Sequence, residues 1–578
     1  MTIDRSTGDV SPWMCAEPDP VLVEQVCRQL PIPRWIAGML VKRGLHDPAE
    51  LDLWLAPKLA NLKDPFLLPD MGAAVDRILL AIERRERITV FGDYDVDGIT
   101  STALLADVLK STGATVSTFL PHRMEEGYGL SVDALTRCCE ETNPKLIITV
   151  DCGTSSVAAA RAAREAGIDL IITDHHALGD ALAPAVAVVN PRRSDDASSH
   201  VLAGVGVAFK LVHALLKRAR QMDGAGSWAQ QDPRALLDLV ALGTVADIAP
   251  LLHENRILVA HGLKRLTETR RTGLRSLIKV AAIDKDIGTY EVGFLLGPRL
   301  NAAGRIDSAR AALELLMTDD PAVAHTCALS LDASNKSRRV VEKEIVEELH
   351  KRVESKMREQ EWHAIVESDE SWHPGVVGLA ATRLMQRHYR PAIVIGADDR
   401  ERAKGSGRSI PGFNLVEALS ECRDLLVKHG GHAMAAGIEI DWKNIDAFRA
   451  RFSDVARRSL ANHPRVPAVE LDGWIQPGDV DDQSLDMLEK LGPFGTGHPE
   501  PLWGARDVVW DGSPREVGTG HLKGRLQREG RGLDIIGFGL YQPPIPSGKL
   551  EAAFHLRREA YRGKTNIVMH VKNLRAQK

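Results

Sequence analysis

Cysteine is scarce in this chain, seven residues in 578, and that scarcity narrows the reading at once. The number is odd and no CxxC pair occurs, so neither a disulfide framework nor a zinc ribbon is indicated. Long apolar runs are missing too: nothing approaches the ~20 residues of a membrane span. Met1-Thr2-Ile3-Asp4-Arg5 lacks the basic and then apolar run of a secretory signal. There is no GxxxxGK[ST] phosphate loop and no Ser/His/Asp nucleophile motif, so Walker-type NTP hydrolysis and covalent catalysis have no support. Internal repeats and low-complexity tracts are absent. A net charge of −5 argues against a basic glove for duplex nucleic acid, although one groove can be basic beneath an acidic exterior. With 44% hydrophobic and 26% charged residues, the expectation is a reduced, cytoplasmic, globular protein of three to five domains.

What is present is concentrated in a few short stretches. Ile88-Thr89-Val90-Phe91 leads into Asp93-Tyr94-Asp95-Val96-Asp97-Gly98. Leu146-Ile147-Ile148-Thr149-Val150 ends in Asp151, and Leu170-Ile171-Ile172-Thr173 ends in Asp174-His175-His176. Each apolar, β-branched run reads as a buried strand. Each therefore delivers oxygen or imidazole ligands just past a strand's C-terminal end, where open α/β sheets bind ligands. An EF-hand loop is the competing reading of Asp-x-Asp-x-Asp-Gly, but its twelfth position would be Leu104 rather than Glu, and a strand precedes it. Helix capping explains any one of these aspartates. It explains three strand ends, one with paired histidines, far less well.

Alternation of helix and strand runs from about residue 76: Ala73–Arg84, Ile88–Phe91, Ser101–Ser111, Thr115–Leu120, Val132–Thr142, Leu146–Val150, Ser155–Ala166, Leu170–Thr173 and Ala185–Val189. That pattern predicts a parallel sheet with crossover helices. Helical patterns follow at Val205–Arg218 and Pro233–Leu242. From Asp332 to about Gln360, Val341, Ile345, Leu349, Val353 and Met357 form one narrow stripe, as on a helix bridging two domains. The expected organisation is an N-terminal helical segment (1–75), an α/β domain (76–331), the connecting helix (332–360), a second α/β domain (361–460) and a C-terminal β-barrel (461–578).

Carboxylates with one or two imidazoles suit Mn²⁺ or Mg²⁺ better than zinc. Asp95 and Asp97 share a face of their loop and could serve neighbouring ions with Asp151 bridging. A pair of ions ~3.5–4 Å apart suits in-line phosphoryl displacement.

Asp95 and Asp97, then Asp151, then Asp174-His175-His176, then Asp247 in Gly243-Thr244-Val245-Ala246-Asp247 resemble the four ordered motifs of the DHH phosphoesterase superfamily. Gly430-Gly431-His432, trailed by Ala435-Ala436-Gly437, resembles the signature of the DHH-associated domain. Glu126–Leu130, Gly297–Arg305, Gly405–Phe413 and Leu491–Pro501 are similar to stretches of the bacterial single-strand-specific exonucleases of RecJ type, over residues from about 30 onward. The resemblance implies a parallel-sheet DHH domain, a long helix, a DHH-associated α/β domain and an OB-like barrel. It implies catalytic roles for Asp95, Asp97, Asp151, His175, His176 and Asp247. Asp93, Asp95, Asp97, Asp151, His175 and Asp247 would hold two Mn²⁺ or Mg²⁺ ions. Asp93 would take over part of the role of a histidine that other superfamily members carry where this chain has Phe91. A second departure is His498, where Asn is expected; that turn is assigned to the barrel, away from the chemistry.

Arginines in Gly-rich surroundings suit phosphate; taken singly each could equally be a surface ion-pair partner. Arg299, Asn301, Arg305, His373, Ser406, Arg408, Ser409 and His432 are the candidate phosphate contacts. Strand alternation puts His521, Lys523 and Arg525 on one barrel face, a candidate single-strand groove in which charge outweighs stacking because Tyr and Phe are sparse there. The leading expectation from the resemblance is processive 5′→3′ hydrolysis of single-stranded DNA to mononucleotides in DNA repair and recombination. The enzyme would be a monomer, partnered by a single-stranded-DNA-binding protein and a helicase and by no membrane. A phosphodiesterase for short RNA or cyclic dinucleotides would not need the barrel. An inactive DNA-binding scaffold would have lost the ligands, and all are present.

Overall fold

The computed structural model describes residues 11–577 apart from 123–128, 223–225, 307–308, 358–361, 399–400, 462, 465 and 562–563, and apart from the side chains at 303–306, 357, 560–561 and 564. The chain forms two units, one of residues 51–336 with 490–500, the other of residues 11–50, 337–489 and 501–577.

The first unit is built on a five-stranded, wholly parallel sheet. Its strands are β1 (Arg87–Phe91), β2 (Thr115–Phe119), β3 (Leu146–Val150), β4 (Asp169–Thr173) and β5 (Ala187–Val189), in the order β2-β1-β3-β4-β5. Apolar layers cover both faces: Val90, Ile148 and Ile171 join one, Phe91, Ile147 and Ile172 the other. Burial on both sides is why these strands read as unbroken apolar runs rather than alternating ones. Helix α1 (Val96–Ser111) begins immediately after the Asp-rich loop, with Asp95 as its N-cap. Helix α2 (Gly204–Ala219) and helix α3 (Leu237–Ala246) pack against α1 and complete the wall behind the strand ends.

The α/β expectation holds in class, and the pieces missed at the boundaries have simple causes. Pro233–Leu236 is a 3₁₀ turn, and only then does α3 start. The long helix, α4 (Pro321–Met357), starts well ahead of Asp332. Its second half is no bare bridge: Ile345, Leu349 and Val353 are buried with Trp362, Ile365, Trp372 and Val376 in the core of the second unit.

That second unit contains a mixed sheet ordered β9-β10-β8-β7-β6, from β6 (Ile365–Asp369), β7 (Ala392–Ala397), β8 (Arg402–Arg408), β9 (Lys428–His432) and β10 (Ala435–Asp441). It also contains a barrel whose ring Trp503–Trp510, Leu550–Tyr561, Lys564–Ala576, Arg531–Gly537, His521–Arg528 closes back on Trp503–Trp510. The N-terminal stretch pairs Trp13–Met14 in parallel with Val469–Glu470. Lys42 donates to the Leu471 carbonyl at 2.7 Å.

The Leu491–Pro501 motif departs from the expected barrel placement. Residues 490–500 belong to the first unit. The Leu251 amide donates to the Thr496 carbonyl (2.8 Å), Thr289 Oγ1 to the Phe494 carbonyl (2.9 Å) and Arg256 to the Gly492 carbonyl (2.8 Å). His498 is buried, its ring 4.3 Å from that of Trp54 and 5.1 Å from that of Phe494. Imidazole is wide enough to fill that aromatic slot. The motif therefore grips the chain just beyond Asp247.

Helix His253–Thr267 crosses α3 closely at Gly262, where an added Cβ would lie 2.3 Å from the Leu237 carbonyl oxygen and 2.6 Å from Ala241 Cβ. Gly262→Ala should destabilise the protein by about 1–3 kcal/mol, as overpacking typically does. The check is its thermal unfolding midpoint against wild type.

Candidate active site

The cluster forms because the C-terminal ends of β1, β3 and β4 converge on the N-termini of α1 and α2. Asp95 Oδ1 accepts from the Asp97 and Gly98 amides at 3.0 and 3.1 Å, so capping and cluster membership coincide in one residue. Asp97 is buried, and its two oxygens accept from the Gly204 and Val205 amides at 2.7 and 2.8 Å. Those amides sit at the electropositive end of α2, which suits a carboxylate. Asp151 follows β3 with φ +63°, a left-handed conformation that a non-glycine residue adopts rarely. Asp247 caps the C-terminal end of α3.

Three sets of side chains each bring potential ligand atoms within 4.8 Å of one another: Asp93, Asp95 and Asp151; Asp97, His175 and Asp247; and Asp151, His175 and His176. Asp151 and His175 each belong to two sets. His175 Nε2 lies 3.1 Å from Asp151 Oδ1, 3.8 Å from Asp97 Oδ2 and 3.9 Å from Asp247 Oδ2. Burial, with His176 beside it, pushes the His175 pKa down to about 4, so near neutral pH its ring carries no charge. Both Asp151 Oδ1 and His175 Nε2 are buried without a hydrogen bond among the described residues. An oxygen and a nitrogen buried 3.1 Å apart with no hydrogen bond between them call for a cation, and this donor set fits a hard divalent ion.

Charge crowding gives the same reading. Burial raises Asp97 well above the carboxylate range, with Asp247 and Asp95 adding repulsion. Asp151 is raised likewise by burial and then by Asp97, Asp95, Asp93 and Asp247. Burial and Asp95 bring Asp247 up to about 7.

Asp174 stands apart. Despite burial it is held low by its bonds: it accepts from the Thr154, His175 and His176 amides (3.0, 2.7 and 3.1 Å) and lies 2.8 Å from His176 Nδ1. It fixes the histidine pair from behind, the usual task of an outer carboxylate. Asn301, a candidate phosphate contact, has its side-chain oxygen on the Val96 amide at 3.1 Å and so braces the same loop.

In the second unit the strand register builds a shelf. Arg408 faces Ala435 and Ala435 faces His432, while Ser406 faces Gly437 and Gly437 faces Gly430. Arg408 and His432 thus occupy one row two strands apart, ~10 Å at normal sheet spacing, with only small residues between them. Arg408 donates to Ser406 Oγ (2.9 Å) and the Gly407 carbonyl (2.8 Å), and burial lowers its pKa. No carboxylate pairs with it among the described residues. His373 caps helix Pro374–His388 through Nδ1, which accepts from the Gly375 amide at 3.0 Å.

The family models for the DHH family N-terminal domain, the DHHA1 domain and the RecJ OB domain match residues 87–244, 362–458 and 471–573. The single-stranded-DNA-specific exonuclease RecJ of Bacillus subtilis is 40% identical over 546 residues, covering 93% of this chain and 67% of that one. The protein of the same name from Dickeya dadantii is 37% identical, covering 94% and 96%. The crystal structure of RecJ in complex with Mn²⁺ from Thermus thermophilus is similar with a TM-score of 0.84 at 31% identity, covering 98% of this chain and 80% of that one. This chain belongs to the RecJ family.

Several sequence candidates have partners within the protein. Arg299 donates to Asp332 Oδ1 (2.9 Å) and the Leu295 carbonyl (2.7 Å). Ser409 is buried and donates to the Phe413 carbonyl at 2.7 Å, which holds the loop and leaves no free hydroxyl for a phosphate. Arg305 lies outside the described side chains, and Glu126–Tyr128 outside the described residues. In the barrel, Leu522 and Leu526 are buried and His521, Lys523 and Arg525 face the other way, as alternation requires. Arg525, however, is paired with Asp511 (3.3 Å) and Asp534 (3.1 Å), so its charge is already compensated. Phe538, exposed with its ring 5.2 Å from His521 and 6.0 Å from His570, gives that face an aromatic surface the sequence reading undervalued.

Gly204 leaves no room for a side chain: a Cβ there would lie 2.6 Å from Asp151 Oδ1. Gly204→Ala should push the shared carboxylate aside and weaken Mn²⁺ binding about 10–100-fold, the usual scale for disturbing a ligand's support. Calorimetric titration with Mn²⁺ measures it, and circular dichroism checks that the fold is kept.

Proposed function

We propose that this chain degrades single-stranded DNA from its 5′ end to mononucleotides, with two Mn²⁺ or Mg²⁺ ions held by Asp93, Asp95, Asp97, Asp151, His175 and Asp247. The observation that carries the reading is Asp151, whose carboxylate takes part in two adjacent ligand sets. The relatives bear the name of single-stranded-DNA-specific exonucleases, and the solved ones hold Mn²⁺ or Mg²⁺. Two such ions would lower the pKa of a water and screen the charge on the phosphate that it attacks.

The chain's own residues do the rest. Asp97, fixed by two amides, and Asp95, fixed as a cap, cannot swing away from one another's repulsion. His176, raised above its ordinary pKa because Asp174 outweighs burial, is poised to give a proton to the departing oxygen. Arg408 with Ser406 and His432 forms the second unit's phosphate-binding shelf. His373 lends its ring to that group, and His521 and Lys523 act with Phe538 as a strand-tracking face. Arg299 and Asn301 serve by holding the helix that supports the cluster. A cytoplasmic monomer acting behind a helicase, on DNA delivered by a single-stranded-DNA-binding protein, completes the proposal. The match to the RecJ OB domain favours long strands over cyclic dinucleotides or short RNA as substrate.

Asp151→Ala should lower the cleavage rate in Mn²⁺ by about 10³-fold or more, several kcal/mol of transition-state stabilisation. Matched 5′- and 3′-labelled single strands, with duplex and short RNA alongside, provide the assay. Release of 5′-labelled mononucleotide at the earliest times is expected. A folded Asp151→Ala protein retaining most activity would sink the two-ion reading, and early release of 3′ label would reverse the polarity.

A further inference from the structure

Among the described residues, only three large aromatic side chains are exposed, and two of them form one stack: Tyr290 is 56% and Phe294 69% accessible, with ring centroids 5.0 Å apart at 27°. A lone exposed apolar side chain is ordinary, whereas contiguous exposed apolar surface marks an interaction site. Phe294 lies on a single turn of π-helix, Glu291–Leu296, and Tyr290 is its N-cap. Such turns are rare and frequent at functional sites.

The stack is tied to the ligand cluster by its own helix. The π-turn runs without a break into helix Gly297–Ile306. Gly297 sits so close to the end of α3 that a Cβ would be 3.3 Å from Ala246 Cβ, one residue before Asp247. Asn301, one turn further, accepts from the Val96 amide inside the Asp-rich loop. Phe294 is seven residues from Asn301, ~10 Å along a helix axis. On the other side of Ala246, Ile248 is 71% exposed with φ +61°. A β-branched residue in that conformation is a genuine outlier, and strain of this kind clusters at functional sites. The backbone thus holds an aliphatic side chain in solvent directly beside a cluster carboxylate.

We propose that Tyr290 and Phe294, with Ile248, form a platform on which unpaired nucleobases of the substrate strand stack beside the cluster. The proposal rests on the single-stranded-DNA reading above and adds to it a source of selectivity. An unpaired base can offer its face to an aromatic ring. In a duplex both faces of each internal base are covered by neighbours, so the platform has nothing to bind. Stacking is indifferent to sequence because every base has a π-face.

The test compares intact single-stranded 20-mers with 20-mers of abasic sugar-phosphate backbone, in fluorescence anisotropy with EDTA. The proteins are wild type, the Tyr290→Ala/Phe294→Ala double variant, and Phe294→Trp. Wild type should bind the intact strand more tightly than the abasic one. The double variant should lose roughly tenfold or more of that preference, on the scale of stacking one base on a ring. Phe294→Trp should keep it. In Mn²⁺, the double variant's loss on intact strands should fall on KM rather than kcat. Equal weakening on intact and abasic strands, or an unaltered preference, would overturn the platform. A wild-type protein that cleaves no single strand in Mn²⁺ would instead overturn the function on which it rests.

Discussion

Gathering carboxylates in one buried place is the constraint around which the first unit is arranged. Asp93, Asp97 and Asp151 are each almost wholly buried, and Asp95 and Asp247 press on them from the half-open side. Removing a carboxylate from water is unfavourable without paired charge or strong hydrogen bonds. The fold supplies the bonds unevenly. Asp174 receives three amides and the His176 ring, and it stays low. Asp97 receives two amides at the head of α2 and still rises. Asp151 has an oxygen with no donor among the described residues and rises too. The fold satisfies the carboxylate that organises, and leaves underprovided those that would meet a cation.

Such a cluster has to be held against its own repulsion, and the restraint comes from distant parts of the chain. Residues 490–500 join the first unit and bond to Leu251, Arg256 and Thr289, around the segment that leaves Asp247. Arg256, with its pKa lowered to about 10 by burial, directs its donors to the Trp54 and Gly492 carbonyls while its guanidinium lies 4.2 Å over the Trp54 ring. A carboxylate at a helix C-terminus gains nothing from the helix dipole. Asp247 therefore depends on this outside grip for its position more than Asp97 does.

Much of this was legible in the sequence because strands buried on both faces announce themselves. Apolar runs at 88–91, 146–150 and 170–173 ending in Asp-rich or Asp-His-His turns could be placed without coordinates, and Asp93, Asp95, Asp97, Asp151, His175 and His176 do converge. Less legible was everything that depends on which partner a polar side chain finds. Arg299 looks like a phosphate ligand by neighbourhood and Arg525 like part of a basic groove by strand alternation, but an aspartate 33 residues from the first and another 9 residues from the second pair with them. Ser409 reads as a loop hydroxyl until the loop closes over it. The Gly492-Pro493-Phe494-Gly495 stretch reads as barrel by position, since nothing local says that it folds back onto the first unit. Exposure was the least legible property: Phe294 and Phe538 are as apolar as any core phenylalanine.

The same few elements that place charge also place apolar surface. Helix Gly297–Ile306 supports the Asp-rich loop through Asn301, and the π-turn that precedes it carries the aromatic stack. The turn after α3 presents Asp247 and, at the next residue, an exposed Ile248. A nucleic-acid strand alternates in kind along its length, with charged phosphate on one edge and flat apolar base on the other. A site that must hold one scissile phosphate in register gains little from more positive charge, because a second phosphate would satisfy it equally well. An apolar contact fixed by the same helix that fixes the ligands distinguishes base from phosphate, and so registers the strand against the cluster.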